Sequence, residues 1–344
     1  MNKLALRVSL SLAISLAGIS AAQAACSDAA AAEVNWSSCV KDFASLPGTN
    51  LAGAILNGAY VRNADLSNAN LFYANMGRTF LTYTDLTGAN LTHASMGNAF
   101  LEGANLTNAA LTNANLTSAS LINANLTHAN LNGVTLIGAD LAGADLSYAY
   151  LGGVETSLYG QARYGANLTN ANLTGAILNG NMPYANLTGA IMTGTYLRGG
   201  NFLGADFSGV DLSTAFLDGA GLGNANLSGA NLSGLDLSGQ SLRFGKVTGM
   251  NLTGANLSGA FLGNAFLSFY SGNAANVNFT NANLNGATVP YGNFAQFAAW
   301  NNLDGADVTN VIYLAVPEPE SYAMMLVGSG VILLLVRRRR AASA

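Results

Sequence analysis

Bulky apolar residues stand at every fifth position from Leu51 to Leu151, through Leu56, Val61, Leu66, Leu71, Met76, Leu81, Leu86 and Leu91. The residue two before each is nearly always Ala. A period of five suits neither regular element. On a helix each step would rotate the apolar residue by about 140°, and on a strand an odd step would flip it to the opposite face. The chain must therefore turn a corner within every five residues. Between corners, Ala64 and Leu66 point the same way in an extended segment and Asp65 points the other way, so Ala and Leu face in and Asp faces out. The corners fall at pairs such as Ser67-Asn68, Thr87-Gly88 and Thr107-Asn108, residue types that turn without steric strain.

A longer echo sets the number of sides. Tyr73-Ala74-Asn75-Met76-Gly77-Arg78-Thr79-Phe80-Leu81 returns twenty residues later as His93-Ala94-Ser95-Met96-Gly97-Asn98-Ala99-Phe100-Leu101. Four sides of five residues close one turn, and turns stack at about 4.8 Å, the spacing of paired strands. The inward ladder then includes Leu66, Leu71, Leu86, Leu91, Leu106, Leu116, Leu227 and Leu232. Each turn touches only its neighbours, so a longer chain adds turns without widening the core.

Ala104-Asn105-Leu106-Thr107-Asn108 and Ala225-Asn226-Leu227-Ser228-Gly229 are clean copies of the unit. The pattern resembles the pentapeptide repeat family, whose unit is Ala, Asn or Asp, Leu and two variable residues. That resemblance implies an all-β fold, a right-handed quadrilateral β-helix, over residues 49–315. The period excludes a coiled coil, and the lack of Gly at every third place excludes collagen. Register fails over 152–165, rich in Tyr and Gly and read as a loop, slips around Met182-Pro183-Tyr184, and is irregular over 268–277. A weaker tract holds Phe279, Leu284, Val289, Phe294, Leu303 and Val308. About forty-five repeats would give eleven or twelve turns and a rod about 50–60 Å long.

The ends carry targeting signals. Lys3 and Arg7 precede an apolar stretch from Val8 to Ile19 and then Ala22-Gln23-Ala24, so 1–24 has the form of a secretory signal. The stretch is short for a permanent anchor. Gln23 stands where a lipid-attachment motif has an aliphatic residue, which argues against a lipoprotein. Residues 25–48 are expected to cap the open first turn, with a short helix through Ala29 to Ala32, Val34 and Trp36. Cys26 and Cys39 are the only cysteines, and export favours a disulfide between them, although unpaired thiols fit the spacing too.

At the far end, 316–344, Val316, Pro317, Glu318 and Pro319 precede an apolar segment over 322–336, followed by Arg337, Arg338, Arg339 and Arg340. Physically this is a stop-transfer tail, with a transmembrane helix and a positive cluster that stays cytoplasmic. A plain single-span anchor has the same physical form. The order of parts resembles the PEP-CTERM sorting signal of Gram-negative bacteria, carried here by Pro317-Glu318-Pro319. The resemblance implies an exosortase as processing partner, transient anchoring in the inner membrane, cleavage near the motif, and delivery to the surface or an exopolysaccharide matrix.

Charge and chemistry narrow the function. Between the two ends the basic residues are Lys41, Arg62, Arg78, Arg163, Arg198, Arg243 and Lys246, and the whole chain has a net charge of -4. No basic stripe suits nucleic acid. Some cytosolic members of the family mimic duplex DNA with acidic faces; here the outward residues are mostly neutral Asn and the chain is read as exported, which argues against that role. His93 and His128 fall on different sides, so they share neither a metal nor a catalytic triad. Asp140 and Asp145, like Asp206 and Asp211, face out from adjacent sides rather than into one cleft. The column Asp65, Asp85, Asn105, Asn125, Asp145 is read as the outward residues of the repeat, without a bound cation. Glu155, Tyr159, Arg163 and Tyr164 of the loop lack a nucleophile and base in a recognisable arrangement. Triplets such as Asn90-Leu91-Thr92 match a glycosylation acceptor only because the repeat generates them. No catalytic residue, metal or cofactor is expected.

One outward feature stands apart. Tyr60, Phe80 and Phe100 are spaced to stack on one face, and Tyr196 and Phe216 form a shorter column. Such strips stiffen a coil or offer a contact surface for a sugar or another protein. The sequence therefore reads as a secreted, non-enzymatic structural or adhesive scaffold, with exopolysaccharide or surface proteins as partners. The alternative is a carbohydrate-binding module built on the aromatic column.

Overall fold

A computed structural model describes residues 26–156, 165–222, 225–227, 229–235, 279–285, 288–289, 298–299 and 301–313. Parallel bridges join each outward residue to the one twenty positions on: Asp65 to Asp85, Asn70 to Asn90, Asn75 to Ser95 and Phe80 to Phe100. Four pentapeptides thus complete one turn, and the outward residues fall into four columns, beginning at Asn35, Val40, Ser45 and Asn50.

The backbone of one repeat shows why five residues suffice. The Asn105 N–H donates back one turn to Thr84 O (2.9 Å), and Leu106 and Asn108 N–H donate forward to Asn125 O (2.6 Å) and Thr127 O (3.0 Å). Ala104 N–H closes the corner onto Leu101 O at 3.0 Å. The remaining N–H, that of Thr107, goes to Asn105 Oδ1 at 3.2 Å. Every backbone donor of this repeat thus has an acceptor, with almost no regular strand. The second corner residue takes a positive φ, +59° at Asn108 and +57° at Asn68, the third position of a type II turn, where Asn and Gly are favoured.

The interior is the predicted column of side chains. Leu66, Leu71, Leu86, Leu91, Leu106, Leu116, Leu227 and Leu232 are all buried, and Ala at the second inward position fills the space between them. Burying one Leu per repeat contributes roughly 1.5–3 kcal/mol each time. Thr79, Thr84 and Thr195 replace that Ala without leaving a hydroxyl unpaired, since they donate to Leu56 O, Val61 O and Leu173 O at 2.7–2.8 Å.

Two sequence expectations need correction. Residues 31–50 do not form a helical cap over the first turn; they are the first turn. Asn35 bridges Ile55, Val40 bridges Tyr60, and Trp36 (2% exposed) occupies the Leu position. The polar Asn35 and the Ser37-Ser38 corner fit the repeat, and the Ala run that suggested a helix precedes it. Cys26 and Cys39 are joined by a disulfide, which ties residues 26–30 against this turn, where the Trp36 indole donates to Asp28 O at 3.2 Å. The interruption is also narrower than 152–165. Val154 and Thr156 are buried, Glu155 bridges both Thr135 and Asn181, and Asn167 takes up the next bridge with Asp140. The Thr156 hydroxyl, at a Leu position, is satisfied by Pro183 O.

The insertion changes the spacing of every column. Asp140 pairs with Asn167 and Asp145 with Asn172, 27 residues apart. Register recovers in a four-residue side, Leu178 to Asn181, so pairs that span it, such as Asn167–Asn186, are 19 apart, and those beyond it, such as Asn181–Asn201, are 20 apart again. Gly180 permits the shortening, since a Cβ there would stand 2.6 Å from Val154 Cγ2 and 2.7 Å from Val154 N. Further on, β1 (Thr288–Val289) and β2 (Ile312–Tyr313) pair in parallel, Asn283 bridges Asp307, and Phe279 and Leu284 are buried. The expected irregular stretch 268–277, the leader 1–24, Pro317-Glu318-Pro319 and the apolar segment 322–336 lie outside the described residues. Among the described residues no helix is long and apolar enough to cross a membrane.

Candidate functional site

The outward surface is mostly a ladder of Asn and Asp. In most repeats the carboxylate or amide oxygen caps its own corner: Asp65 Oδ1 accepts from Ser67 N (2.9 Å) and Oγ (2.6 Å), and Asp211 Oδ1 accepts from Ser213 in the same way. The Asn amide then reaches along the column, as Asn70 Nδ2 to Asn50 Oδ1 (3.0 Å) and Asn231 Nδ2 to Asp211 Oδ1 (3.0 Å). These donors hold the Asp65, Asp211 and Asp307 carboxyls below the ordinary Asp range, the Ser67, Ser213 and Thr309 hydroxyls being the leading cause. Asp42 is lowered first by its bond to Arg62, which it meets at 2.5 Å. The column Asp65, Asp85, Asn105, Asn125, Asp145 forms as expected, with its oxygens engaged by neighbouring donors. Among the described residues no group of three His, Cys, Asp or Glu is placed to hold a metal.

The aromatic column also forms, with its rings stacked face to face. Tyr60 and Phe80 stack with centroids 4.6 Å apart at 4°, and Phe80 and Phe100 at 4.8 Å and 5°. Both faces of Phe80 are covered by neighbouring rings, so a sugar cannot lie flat on it; solvent meets ring edges. The Arg62 guanidinium sits 5.2 Å from the Tyr60 ring centroid. Tyr196 and Phe216 stack likewise at 4.5 Å.

The sequence missed part of this surface. Bridges Tyr150–Ile177 and Ile177–Tyr196 extend the second column to four apolar residues, each 37–42% exposed. The 27-residue step hides this alignment from a search at twenty. His93 stacks on Tyr73 (4.7 Å) and His128 on Tyr148 (5.1 Å), at different corners, so the two histidines are not brought together.

The stacked five-residue turns and capped polar ladders define a repeat β-helix. The chain belongs to the pentapeptide-repeat family: the model for pentapeptide repeats matches residues 44–82, 84–121, 119–154, 164–180, 181–213, 205–243 and 220–259. The tail 315–340 matches the PEP-CTERM protein-sorting motif, which marks the protein for the cell envelope or exterior. No curated protein sequence matches the chain. Similar solved structures include HetL from the cyanobacterium Nostoc, involved in heterocyst differentiation regulation, at 24% identity over 81% of this chain and 87% of HetL, with TM-score 0.22. Rfr23 from the cyanobacterium Cyanothece is 32% identical over 34% of this chain and 85% of its own, with TM-score 0.27. QnrB1, a plasmid-mediated fluoroquinolone resistance protein, is 18% identical over 64% and 88%, with TM-score 0.33.

Proposed function

We propose that this protein is exported by its leader 1–24, held briefly in the inner membrane through 322–336, cut near Pro317-Glu318-Pro319 by an exosortase, and displayed at the surface or in an exopolysaccharide matrix as a non-catalytic scaffold. The observation that carries the reading is the sorting motif at 315–340 behind a long repeat body. A right-handed quadrilateral coil suits the role, because a rod stabilised turn by turn presents long faces without a large core. Extensive capping of the outward Asn and Asp groups leaves the rod inert over most of its surface. Mass spectrometry of the mature C-terminus, with fractionation of cells with and without the sorting enzyme, tests the proposal. A mature chain ending upstream of Tyr322 and lost from the exterior when the enzyme is absent is the expected result. An intact Arg337 to Arg340 tail on surface protein would overturn it.

A second reading, binding of carbohydrate along the Tyr60, Phe80, Phe100 column, is favoured by the continuity of ring edges on one face. Phe80→Ser/Phe100→Ser should then lose retention on purified exopolysaccharide while melting as a repeat coil. Unchanged retention would remove the column from consideration.

A further inference from the structure

The backbone accounting of the repeat does not hold at every corner, and on one column it leaves glycine at two successive exceptions. In most repeats the N–H of the first corner residue is taken by the outward side chain two positions earlier, as Thr107 is by Asn105 and Thr117 by Asn115 (2.9 Å). That geometry means the N–H points out of the coil. At Asn57, Gly77 and Gly97 it finds no acceptor among the described residues. Ile55 has no acceptor to offer, and Asn75 and Ser95 leave theirs unused. These three positions stack on successive turns, so three unspent N–H groups run in a line about 10 Å long, twice the strand spacing.

Neither Gly77 nor Gly97 has a left-handed φ, and an added Cβ would come no nearer than 3.6 Å and 3.7 Å to any atom. The fold does not demand glycine here. Its effect is to keep the donors uncovered, whereas the next corner carries Thr82, Glu102 and Ile122 at the equivalent places. The result is a depression of about 350 Å³ lined by Asn57, Gly58, Gly77, Arg78 and Gly97.

Charge singles out the same place. Of the described guanidiniums, Arg62 pairs with Asp42 and Arg198 with Asp218, while Arg78 has no partner among the described residues. Segments 55–60, 75–80 and 95–100 contain no Asp or Glu, in a chain of net charge -4. Outward-pointing backbone N–H groups beside a free guanidinium form an anion-binding surface. The side chains of Asn57 and Asn98 flank it and are likewise unengaged.

We propose that this groove binds an acidic saccharide, its carboxylate on Arg78 and the Gly77 and Gly97 N–H groups and its hydroxyls on Asn57 and Asn98. The inference rests on the reading of the protein as matrix-facing. A saccharide fits better than an acidic peptide because the groove is shallow and floored by glycine, with no recess for a peptide side chain and flat carbon surface for a sugar ring. It also runs beside the ring edges of Tyr60, Phe80 and Phe100, each two residues beyond a groove position. The stacked faces that exclude a flat-lying sugar from Phe80 do not obstruct this approach.

The test measures binding of the purified chain to polygalacturonate, neutral dextran and polyglutamate by calorimetry. Arg78→Ser and Gly77→Thr/Gly97→Thr are compared with the parent, the second variant filling the groove at positions with room for a side chain. The expected result is salt-sensitive binding of polygalacturonate above the other two, weakened about tenfold or more in both variants, as loss of a charge-assisted contact implies. Melting curves matching the parent establish that both variants fold. Equal binding of polygalacturonate by parent and variants overturns the groove while leaving a carbohydrate role intact, which Phe80→Ser/Phe100→Ser then locates. Binding of polyglutamate as tight as polygalacturonate, and equally sensitive to Arg78→Ser, overturns the saccharide assignment. No binding to either glycan overturns the groove and the carbohydrate reading together.

Discussion

The ring of Tyr83 lies over the α-carbon of Gly103, one turn further along the coil, so closely that a Cβ on Gly103 would stand 2.5 Å from Tyr83 Cε1 and 2.6 Å from Cδ1. Tyr148 covers Gly175 and Tyr184 covers Gly204 in the same manner, at 2.7 Å and 2.6 Å. At these three corners a large side chain thus folds down the rod onto a glycine of the next turn. Gly103 also has φ +64°, which adds a backbone cost to any replacement.

Gly103→Ala is therefore expected to destabilise by about 1–2 kcal/mol from the backbone alone, plus the displacement of the Tyr83 ring. In Tyr83→Ser/Gly103→Ala the ring contribution should vanish and the backbone cost remain. A double-mutant cycle by urea unfolding checks this; strictly additive effects would show that the ring does not sit on the glycine.

Leu116 is fully buried in the column. Leu116→Ala should cost about 2–5 kcal/mol. Leu116→Lys should cost more, because it places a charge where nothing can solvate it. Hydrogen exchange should show the loss concentrated in the turns next to residue 116, since each turn depends on its neighbours. Uniform loosening of the rod would contradict that.

Removing the Cys26–Cys39 bond, which spans 13 residues, should weaken the first turn by roughly 2–4 kcal/mol. Cys26→Ser/Cys39→Ser should exchange faster at the Trp36 and Lys41 amides, with little change at Leu116. The Lys41 ammonium, 3.9 Å from the Trp36 ring centroid and lowered in pKa by burial, reports on the same place.

Acid should destabilise the rod in a defined direction. The Asp42, Asp65, Asp211 and Asp307 carboxyls are all lowered from the ordinary value. Unfolded Asp binds protons near pH 3.9, so the stability these groups contribute is fully present above that pH and is lost as pH falls through their lower folded values. Melting temperatures should stay level from neutrality to about pH 5 and fall below about pH 4. Asp65→Asn/Asp211→Asn keeps the corner acceptor without the titration and should flatten the acid limb. An unchanged limb would assign the acid sensitivity to other groups.

The inward ladder and the four columns of the uninterrupted coil were legible from Leu51 to Leu151 because they follow from period alone. The first turn was not, because Trp36, Cys39 and Lys41 replace the apolar repeat residues and conceal its register. Nor was the Tyr150, Ile177, Tyr196, Phe216 column, which exists only because a 27-residue turn and a four-residue side bring unequal spacings into line.

What the amino-acid order determined by itself is which side chains face inward, since five residues with one corner leave a Leu no other way to escape water. Which outward groups are already engaged was decided only by tertiary structure. Whether Phe80 has a free face, or Gly77 a free N–H, depends on what the turns above and below place against it, and those neighbours lie twenty residues away.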